Sequence, residues 1–289
     1  MRTPRTLLTA WNMHAKKKYG QNFLVEPATT EMIVSRAGIG PDDIILEIGS
    51  GLGALTLPLA RKAKKVYAIE KDPQLVPLLR SEILAAGLEE KVELINKDIL
   101  KIDIAEIVEQ HGGKIIVMGN LPYNISSQIL IWLIKSRSLV QKAVFMFQKE
   151  LAERIVSPPG TGDYGRLSAV IQYCASIKSI AILKANQFFP RPRIDSEVIE
   201  ISFFDAPDEK AVNEDFLFSV IKAAFGKRRK NLRNSLSNSE LGISSELVLQ
   251  ALESSSIEHI RRAETLSIKE FVILSNNLLA LSKDHGGSV

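Results

Sequence analysis

The sequence predicts a mostly parallel, doubly wound α/β sheet in a domain of residues 1–206, followed by a small all-helical domain of residues 207–289. Two observations lead to this fold. Between residues 43 and 204, short β-branched runs alternate with amphipathic stretches, an alternation typical of strand–helix–strand units. After the Ala206-Pro207 dipeptide, apolar residues recur at helical spacing and no convincing strand pattern follows.

The predicted elements of the first domain follow one another at short intervals. Each strand is a short run of β-branched and apolar residues, and a helical pattern separates most of them. The predicted strands are residues 44–48, 65–70, 92–96, 115–119, 143–147, 177–183 and 198–203. The clearest helical patterns are residues 75–84 and 127–134, and in the second domain residues 216–225, 245–252 and 268–279.

Composition excludes several classes of protein. With 289 residues, 45% hydrophobic and 24% charged, the chain reads as a soluble globular protein, and no apolar run approaches the roughly eighteen residues of a membrane span. The single cysteine, Cys174, lies in an apolar run and indicates packing, and four scattered histidines predict no metal site. Residues 1–20 form a basic N-terminal arm, and its first eighteen residues lack the features of a secretory signal. We therefore expect a cytoplasmic protein, with a short organellar presequence as the alternative.

The distribution of charge indicates a polyanionic partner. The net charge is +4, and no acidic residue lies between Asp215 and Glu240. The basic residues in this interval are Lys222, Lys227, Arg228, Arg229, Lys230 and Arg233. A solvated helix face is the alternative, but such faces usually carry acids for pairing at helical spacing. The pattern therefore favours a nucleic-acid surface.

A glycine-rich turn follows the first predicted strand. Residues 47–53 read EIGSGLG and lead into a helical pattern. Glycines are needed where a strand turns sharply into a helix and a ligand approaches the backbone closely. The spacing is G-x-G-x-G and does not match the G-x-G-x-x-G fingerprint of dinucleotide sites. Taken alone, the turn is also compatible with an ordinary strand–helix connection.

Two acidic residues end the next two strands. Glu70 lies about twenty residues after the first glycine of the turn, where its carboxylate can accept hydrogen bonds from both ribose hydroxyls of a nucleoside. Asp98 follows the third strand, where it can meet an adenine amino group, although it is also placed to cap a helix. Strand ends that converge on one crevice favour a nucleoside-containing cofactor.

The fourth strand ends in residues 119–123, GNLPY. The N6 amine of adenine is a poor nucleophile because its lone pair is delocalised into the ring. The amide oxygen of Asn120 and a backbone carbonyl near Leu121 can accept its protons and localise that lone pair, while Pro122 stiffens the turn. Tyr123 offers a flat face for an extruded base. The alternative is a strand-ending turn with an exposed tyrosine.

Together these segments resemble the KsgA-type ribosomal RNA adenine dimethyltransferases, relatives of the erythromycin-resistance methylases. The matching segments are residues 18–24 (KYGQNFL), the turn of residues 47–53, Glu70, Asp98, residues 120–123, residues 188–196 (FFPRPRIDS) and residues 228–233 (RRKNLR). The resemblance covers residues 16 to about 280, and residues 1–15 lie outside it. The N-L-P-Y form, Asp195-Ser196 and the basic segment resemble the small-subunit branch.

The resemblance implies a Rossmann-like class I methyltransferase fold with a seven-stranded sheet, and S-adenosyl-L-methionine as the cofactor. It implies cofactor contacts from Asn22, Leu24, Gly49, Gly51, Glu70, Asp98 and Asn120. Phe188 would form the second face of an aromatic sandwich around the target adenine, opposite Tyr123. Its spacing alone predicts a core residue, and Phe189 is assigned no role.

The implied reaction is direct in-line methylation of N6 on two adjacent adenosines in a hairpin near the 3′ end of small-subunit ribosomal RNA, giving dimethyladenosine. The expected partner is this RNA within a pre-30S particle, bound by a monomeric protein. The residues expected to contact RNA phosphates are Lys16, Lys17, Lys18, Lys227, Arg228, Arg229, Lys230 and Arg233. Three alternatives stay open: a large-subunit RNA methyltransferase, a DNA adenine-N6 methyltransferase, and an RNA-binding assembly factor whose chemistry is secondary.

Overall fold

The structure, a computed structural model, describes residues 3–227 and 229–284. Within them the chain packs as two compact units. The first comprises the chain up to Ala152 together with Ser176–Phe203, and the second comprises Glu153–Ala175 together with the chain from Phe204 onward. The second unit therefore begins close to the predicted boundary, but it also takes in a segment that lies inside the predicted first domain.

A seven-stranded sheet forms the centre of the first unit. The described residues form nine strands, of which β1 and β8 make a separate two-stranded sheet. The strands are β1 (Phe23–Leu24), β2 (Ile44–Ile48), β3 (Lys65–Ile69), β4 (Val92–Ile95), β5 (Ile115–Asn120), β6 (Val140–Gln148), β7 (Ala175–Leu183), β8 (Phe188–Phe189) and β9 (Ser196–Phe203). The main sheet has the order β4-β3-β2-β5-β6-β9-β7. Its first five strands are parallel, and β9 runs antiparallel to β6. The predicted doubly wound, seven-stranded sheet is confirmed.

One helix of the described residues precedes the first strand, and the others lie between the strands or after the last of them. They are α1 (Pro4–Ala10), α2 (Pro27–Arg36), α3 (Thr56–Lys62), α4 (Leu75–Ala85), α5 (Ala105–His111), α6 (Ser126–Lys135), α7 (Lys149–Val156), α8 (Arg166–Cys174), α9 (Glu214–Ala224), α10 (Leu232–Ser237), α11 (Ser245–Ser254) and α12 (Ile268–Asp284). None of them is long and apolar enough to cross a bilayer. The predicted helical C-terminal region is confirmed.

The central strand β2 explains why the first unit folds around this sheet. All five of its residues are buried, with β3 on one side and β5 on the other. A strand covered on both faces is largely apolar and does not alternate, as the run Ile44-Ile45-Leu46 shows, although Glu47 follows it. The carboxyl end of β2 is therefore anchored in the core.

The second unit is built from helices with side-chain caps. Asn213, Asn231 and Ser244 each accept a hydrogen bond from a backbone N–H in the first turn of α9, α10 and α11. The added segment joins them through aromatic contacts. The ring of Tyr173 lies 5.9 Å from that of Phe218, and its hydroxyl accepts a hydrogen bond from the Ala211 N–H. These contacts draw α8 into the helical unit.

Candidate active site

A cleft of about 1000 Å³ opens at the carboxyl ends of β2, β3, β4 and β5, where ligands bind in open α/β sheets. The predicted cofactor residues all line it, namely Asn22, Leu24, Gly49, Gly51, Glu70, Asp98 and Asn120. Pro122 also lines the cleft. The structure thus brings together residues that are almost one hundred positions apart in the chain.

The glycine turn after β2 wraps closely around one end of the cleft. Gly49 and Gly51 have φ angles of 74° and 54°, in the left-handed region that side chains with a Cβ rarely adopt. A Cβ on Gly51 would also lie 3.1 Å from the ring of Phe23. The turn therefore needs glycine at Gly51 for two independent reasons.

Glu70 holds this turn through its carboxylate. Its Oε2 atom accepts a hydrogen bond of 2.8 Å from the Gly51 N–H, and its Oε1 atom accepts one of 2.7 Å from the Asp72 N–H. The side chain is 6% exposed, and burial raises its pKa above the ordinary value. No described cation pairs with it, and a carboxylate can accept about four hydrogen bonds, so acceptor capacity remains for a ribose hydroxyl.

Asp98 caps the short 3₁₀ helix Ile99–Lys101, as one reading of the sequence predicted. Its Oδ1 atom accepts a hydrogen bond from the Leu100 N–H, and its Oδ2 atom lies 2.6 Å from the Lys71 ammonium. Burial acts to raise the pKa of Asp98, but the Lys71 contact and the cap outweigh it, and the pKa lies below its usual range. Its contact with an adenine amino group stays a prediction.

The Asn120 amide is oriented by the N-terminal segment. Its Nδ2 atom donates a hydrogen bond of 2.7 Å to the Asn22 carbonyl. The amide oxygen receives no hydrogen bond from the described residues, so it is available to a ligand. The Pro122 carbonyl, two residues further along the chain, already accepts hydrogen bonds from the Ile125 N–H and the Ser126 hydroxyl. The Leu121 carbonyl is therefore the candidate backbone acceptor of this turn.

Gly119 allows the end of β5 to approach β2. A Cβ at this position would lie 2.5 Å from the Ile48 carbonyl oxygen, a separation that real Cβ atoms do not reach. A larger residue would push Asn120 away from the glycine turn. In the sequence, Gly119 stands only as the first residue of the GNLPY segment. Its close approach to the Ile48 backbone leaves no local signal, because Ile48 belongs to another strand.

Tyr123 is held by a residue to which the sequence analysis gave no role. The Tyr123 hydroxyl lies 3.1 Å from Oγ of Ser196, which is fully buried at the start of β9. Burial raises the pKa of Tyr123, so the phenol stays neutral and the ring keeps a fixed hydroxyl partner. Only the Asp195-Ser196 pair within the matching segment signalled this contact.

Phe188 lies in the main hydrophobic core and is 3% exposed, the placement that its spacing alone predicted. Strand β8 pairs antiparallel with β1, so that Phe188 lies opposite Leu24 and Phe189 opposite Phe23. Residues 18–24 and 188–196, two of the segments that carry the family resemblance, are therefore neighbours in the structure. A stacking face on Phe188 stays a prediction.

The predicted RNA-contacting residues differ in their surroundings. Lys17 and Lys18 are exposed, whereas Lys16 lies 2.8 Å from the buried carboxylate of Asp72. In the second unit, Lys227, Arg229 and Lys230 are exposed, and no described acid pairs with them. Arg233 donates a hydrogen bond to the Ser245 hydroxyl, Lys222 pairs with Glu240, and Arg228 lies outside the described residues.

Comparison with known sequences identifies the family. The sequence pattern described as "Ribosomal RNA adenine dimethylase" matches residues 12–276. The chain belongs to this family. The predicted resemblance is confirmed, and so is its methyltransferase class.

Two relatives and one solved structure show how far this similarity extends. "Ribosomal RNA small subunit methyltransferase A" of Desulforapulum autotrophicum is 50% identical over 97% of this chain and 98% of the relative. A protein of the same name from Alkaliphilus oremlandii is 37% identical over 95% of each chain. The crystal structure of a dimethyladenosine transferase from Plasmodium falciparum has a TM-score of 0.76 and 26% identity, covering 91% of this chain and 98% of that one.

The chain carries a second buried acid beside the glycine turn. Glu47 is 1% exposed, lines the cleft, and accepts a hydrogen bond of 2.6 Å from the Thr56 hydroxyl. Burial raises its pKa from 4.5 to about 7, against the lowering effect of Thr56. The carboxyl group therefore titrates near neutral pH.

We expect Glu47→Gln to stabilise the protein more at pH 8 than at pH 5. Because the pKa of Glu47 is raised in the folded state, its protonation stabilises the fold below about pH 4.5, and that stabilisation is lost as pH rises through about 7. Glutamine keeps an acceptor for Thr56 and carries no charge. The free energy of unfolding of the variant, relative to wild type, should rise by up to about 3 kcal/mol over this range. Urea unfolding at several pH values measures it, and a constant difference would contradict the assignment.

Proposed function

We propose that the chain transfers methyl groups from S-adenosyl-L-methionine to N6 of two adjacent adenosines in a hairpin near the 3′ end of small-subunit ribosomal RNA. The product is N6-dimethyladenosine, and the step belongs to small-subunit biogenesis. One observation carries the proposal: Asn22 fixes the Asn120 amide so that its oxygen is left for a ligand, in the same cleft as Glu70.

The residues of the cleft fit this cofactor. The Ser50 hydroxyl is buried in the lining without a hydrogen-bond partner among the described residues, and such an orphaned group is suited to a polar ligand. Glu70 would accept the ribose hydroxyls, Asp98 the adenine amino group, and the glycine turn would hold the amino-acid portion close to the backbone. When bound, S-adenosylmethionine supplies a methyl group on a positively charged sulfonium.

The Asn120 turn then acts on the nucleophile. The Asn120 amide oxygen and the Leu121 carbonyl accept the amino protons of the target adenine, which localises the lone pair on N6. Tyr123, with its hydroxyl held by Ser196, provides a face for the extruded base. Positioning contributes much of the rate, and no residue of the chain forms a covalent intermediate with the base or the methyl group.

The names of the relatives support small-subunit RNA as the substrate of this chain. The family pattern concerns ribosomal RNA rather than DNA, and both relatives reported above are named for the small subunit. The exposed residues Lys227, Arg229 and Lys230 would contact phosphates of this RNA in a pre-30S particle. We also propose that the protein acts in the cytoplasm and as a monomer.

The direct test is methyl transfer to small subunits that lack the modification, followed by nucleoside analysis of the RNA. We expect labelled dimethyladenosine from small subunits and none from large subunits or duplex DNA. Label on large-subunit RNA or DNA would overturn the substrate assignment. Tight binding to small subunits without any label would favour the assembly factor whose chemistry is secondary.

Asn120→Ala is expected to lower the single-turnover methylation rate by about a hundredfold or more. The contact strengthens as N6 becomes tetrahedral, so its loss acts mainly on the transition state. RNA affinity should hardly change, because phosphate contacts dominate it. Rates are measured at saturating cofactor, with RNA binding measured in parallel. Asn124→Ala, which changes a neighbouring asparagine of the cleft lining, is the matched control. Normal turnover in the Asn120 variant would refute the catalytic role.

Replacing Lys227, Arg229 and Lys230 together with alanine should weaken RNA binding and reduce its salt dependence. Each lost phosphate contact lowers the slope of log K against log salt by about one. Cofactor affinity should stay as in wild type. Lys269→Ala serves as a control, because this exposed lysine of the same unit already pairs with Glu209. An unchanged slope in the triple variant would show that these side chains do not face phosphate.

A further inference from the structure

A partly buried ion pair anchors the N-terminal segment that lines the cleft. The Lys16 ammonium lies 2.8 Å from the Asp72 carboxylate, and their side chains are 28% and 2% exposed. Gln21 completes the contact, since its Nε2 atom donates to Asp72 and its Oε1 atom accepts from the Lys16 N–H. We refer to residues 3–24, which extend the predicted basic arm to the end of β1, as the arm. The ion pair thus ties the arm to the residues just after β3.

Asp72 also supports the ribose acceptor. Its N–H donates the 2.7 Å hydrogen bond to Oε1 of Glu70, while its carboxylate holds the arm. Burial acts to raise the pKa of Asp72, but hydrogen bonds led by that from Lys16 outweigh it and lower the pKa below the usual range. A carboxylate that is buried and charged needs its cation, because an unpaired buried charge is strongly destabilising. Loss of the Lys16 cation would therefore displace Asp72 and, through the Asp72 N–H, the Glu70 carboxylate.

The arm meets the cleft at two further places. Residues 19–24 form part of its lining, and the Asn22 carbonyl orients the Asn120 amide. Helix α1 buries Leu7 and Leu8 in an apolar cluster. The other buried members of this cluster are Phe23, Leu52, Leu75 and Leu78. Helix α1 precedes the residues that match the family, and its two leucines pack the start of the arm against this cluster.

We propose that Lys16 is a positioning residue for the cofactor, acting through Asp72 on Glu70 and through the arm on Asn22. This inference rests on the proposed use of S-adenosylmethionine in the cleft. It separates Lys16 from its two neighbours, because Lys17 and Lys18 are exposed and their charges are available to RNA phosphates. The three adjacent lysines therefore serve two different partners.

Lys16→Met should weaken binding of S-adenosylhomocysteine, the demethylated cofactor, roughly tenfold to a hundredfold, the loss expected when a charged hydrogen bond is misplaced. The KM for S-adenosylmethionine should rise similarly and kcat should fall by a smaller factor, because Asn22 also orients Asn120, while RNA affinity and its salt slope stay close to wild type. Calorimetry, steady-state kinetics and RNA titrations measure these quantities. Lys17→Met is the matched control, and we expect it to weaken RNA binding alone.

Two further variants keep the test decisive if Lys16→Met does not fold. Lys16→Arg retains the cation and should restore most of the cofactor affinity. The double variant Lys16→Met/Asp72→Asn removes both charges, so it should fold but bind S-adenosylhomocysteine weakly, because the arm is no longer tied down. Wild-type affinity in the double variant would overturn the inference.

The other outcomes are equally distinct. If Lys16→Met binds S-adenosylhomocysteine as wild type does but loses RNA affinity and salt slope, Lys16 contacts phosphate and the inference is wrong. If the wild-type protein itself fails to bind S-adenosylhomocysteine or S-adenosylmethionine, the proposed cofactor is wrong, and the fault lies with the proposed function rather than with the role of Lys16.

Discussion

The Glu70 carboxylate is the interaction on which the candidate site depends. One of its oxygens fixes the glycine turn through the Gly51 N–H, and the other fixes the Asp72 N–H at the start of the next connection. Its own carbonyl accepts from the Asn96 side chain, which adds the end of β4. Three strand ends are thus joined at a single residue, through its side chain and its carbonyl. The sheet brings these ends close together, and Glu70 sets their relative positions to within hydrogen-bond distances.

The distribution of charge differs between the expected sites of the two ligands of the proposed function, S-adenosylmethionine and RNA. The cleft contains the buried acids Glu47 and Glu70, and burial raises the pKa of both because no described cation neutralises them. Such an interior disfavours phosphates and favours a cationic ligand such as a sulfonium. In the second unit, Lys227, Arg229 and Lys230 are exposed and have no described acidic partner. Two buried acids thus lie where the cofactor is expected, and a group of exposed cations lies where RNA is expected.

Features encoded by local pattern could be predicted from the sequence, and features that depend on distant pairs could not. The strands, the glycine turn and the place of Glu70 follow from a short apolar run and the residue that ends it. The contact of Tyr123 with Ser196 joins residues 73 positions apart, and α8 belongs to the second unit because Tyr173 packs against Phe218. Neither contact leaves a periodic signal. The three lysines of residues 16–18 look alike in sequence, and only Asp72 distinguishes the first of them.

The arm connects two separated segments that carry the family resemblance. Residues 23–24 and 188–189 pair as a two-stranded sheet, so each segment helps to position the other. The Asn22 carbonyl meets the Asn120 amide across 98 positions, and Gly119 leaves room for that amide beside Ile48. An asparagine at Asn120 is thus required twice, since its nitrogen must reach the arm while its oxygen stays free for the amino group of a base. An aspartate would lack the donor and a leucine would lack both groups, so the same geometry that builds the arm also selects the residue proposed to act on N6.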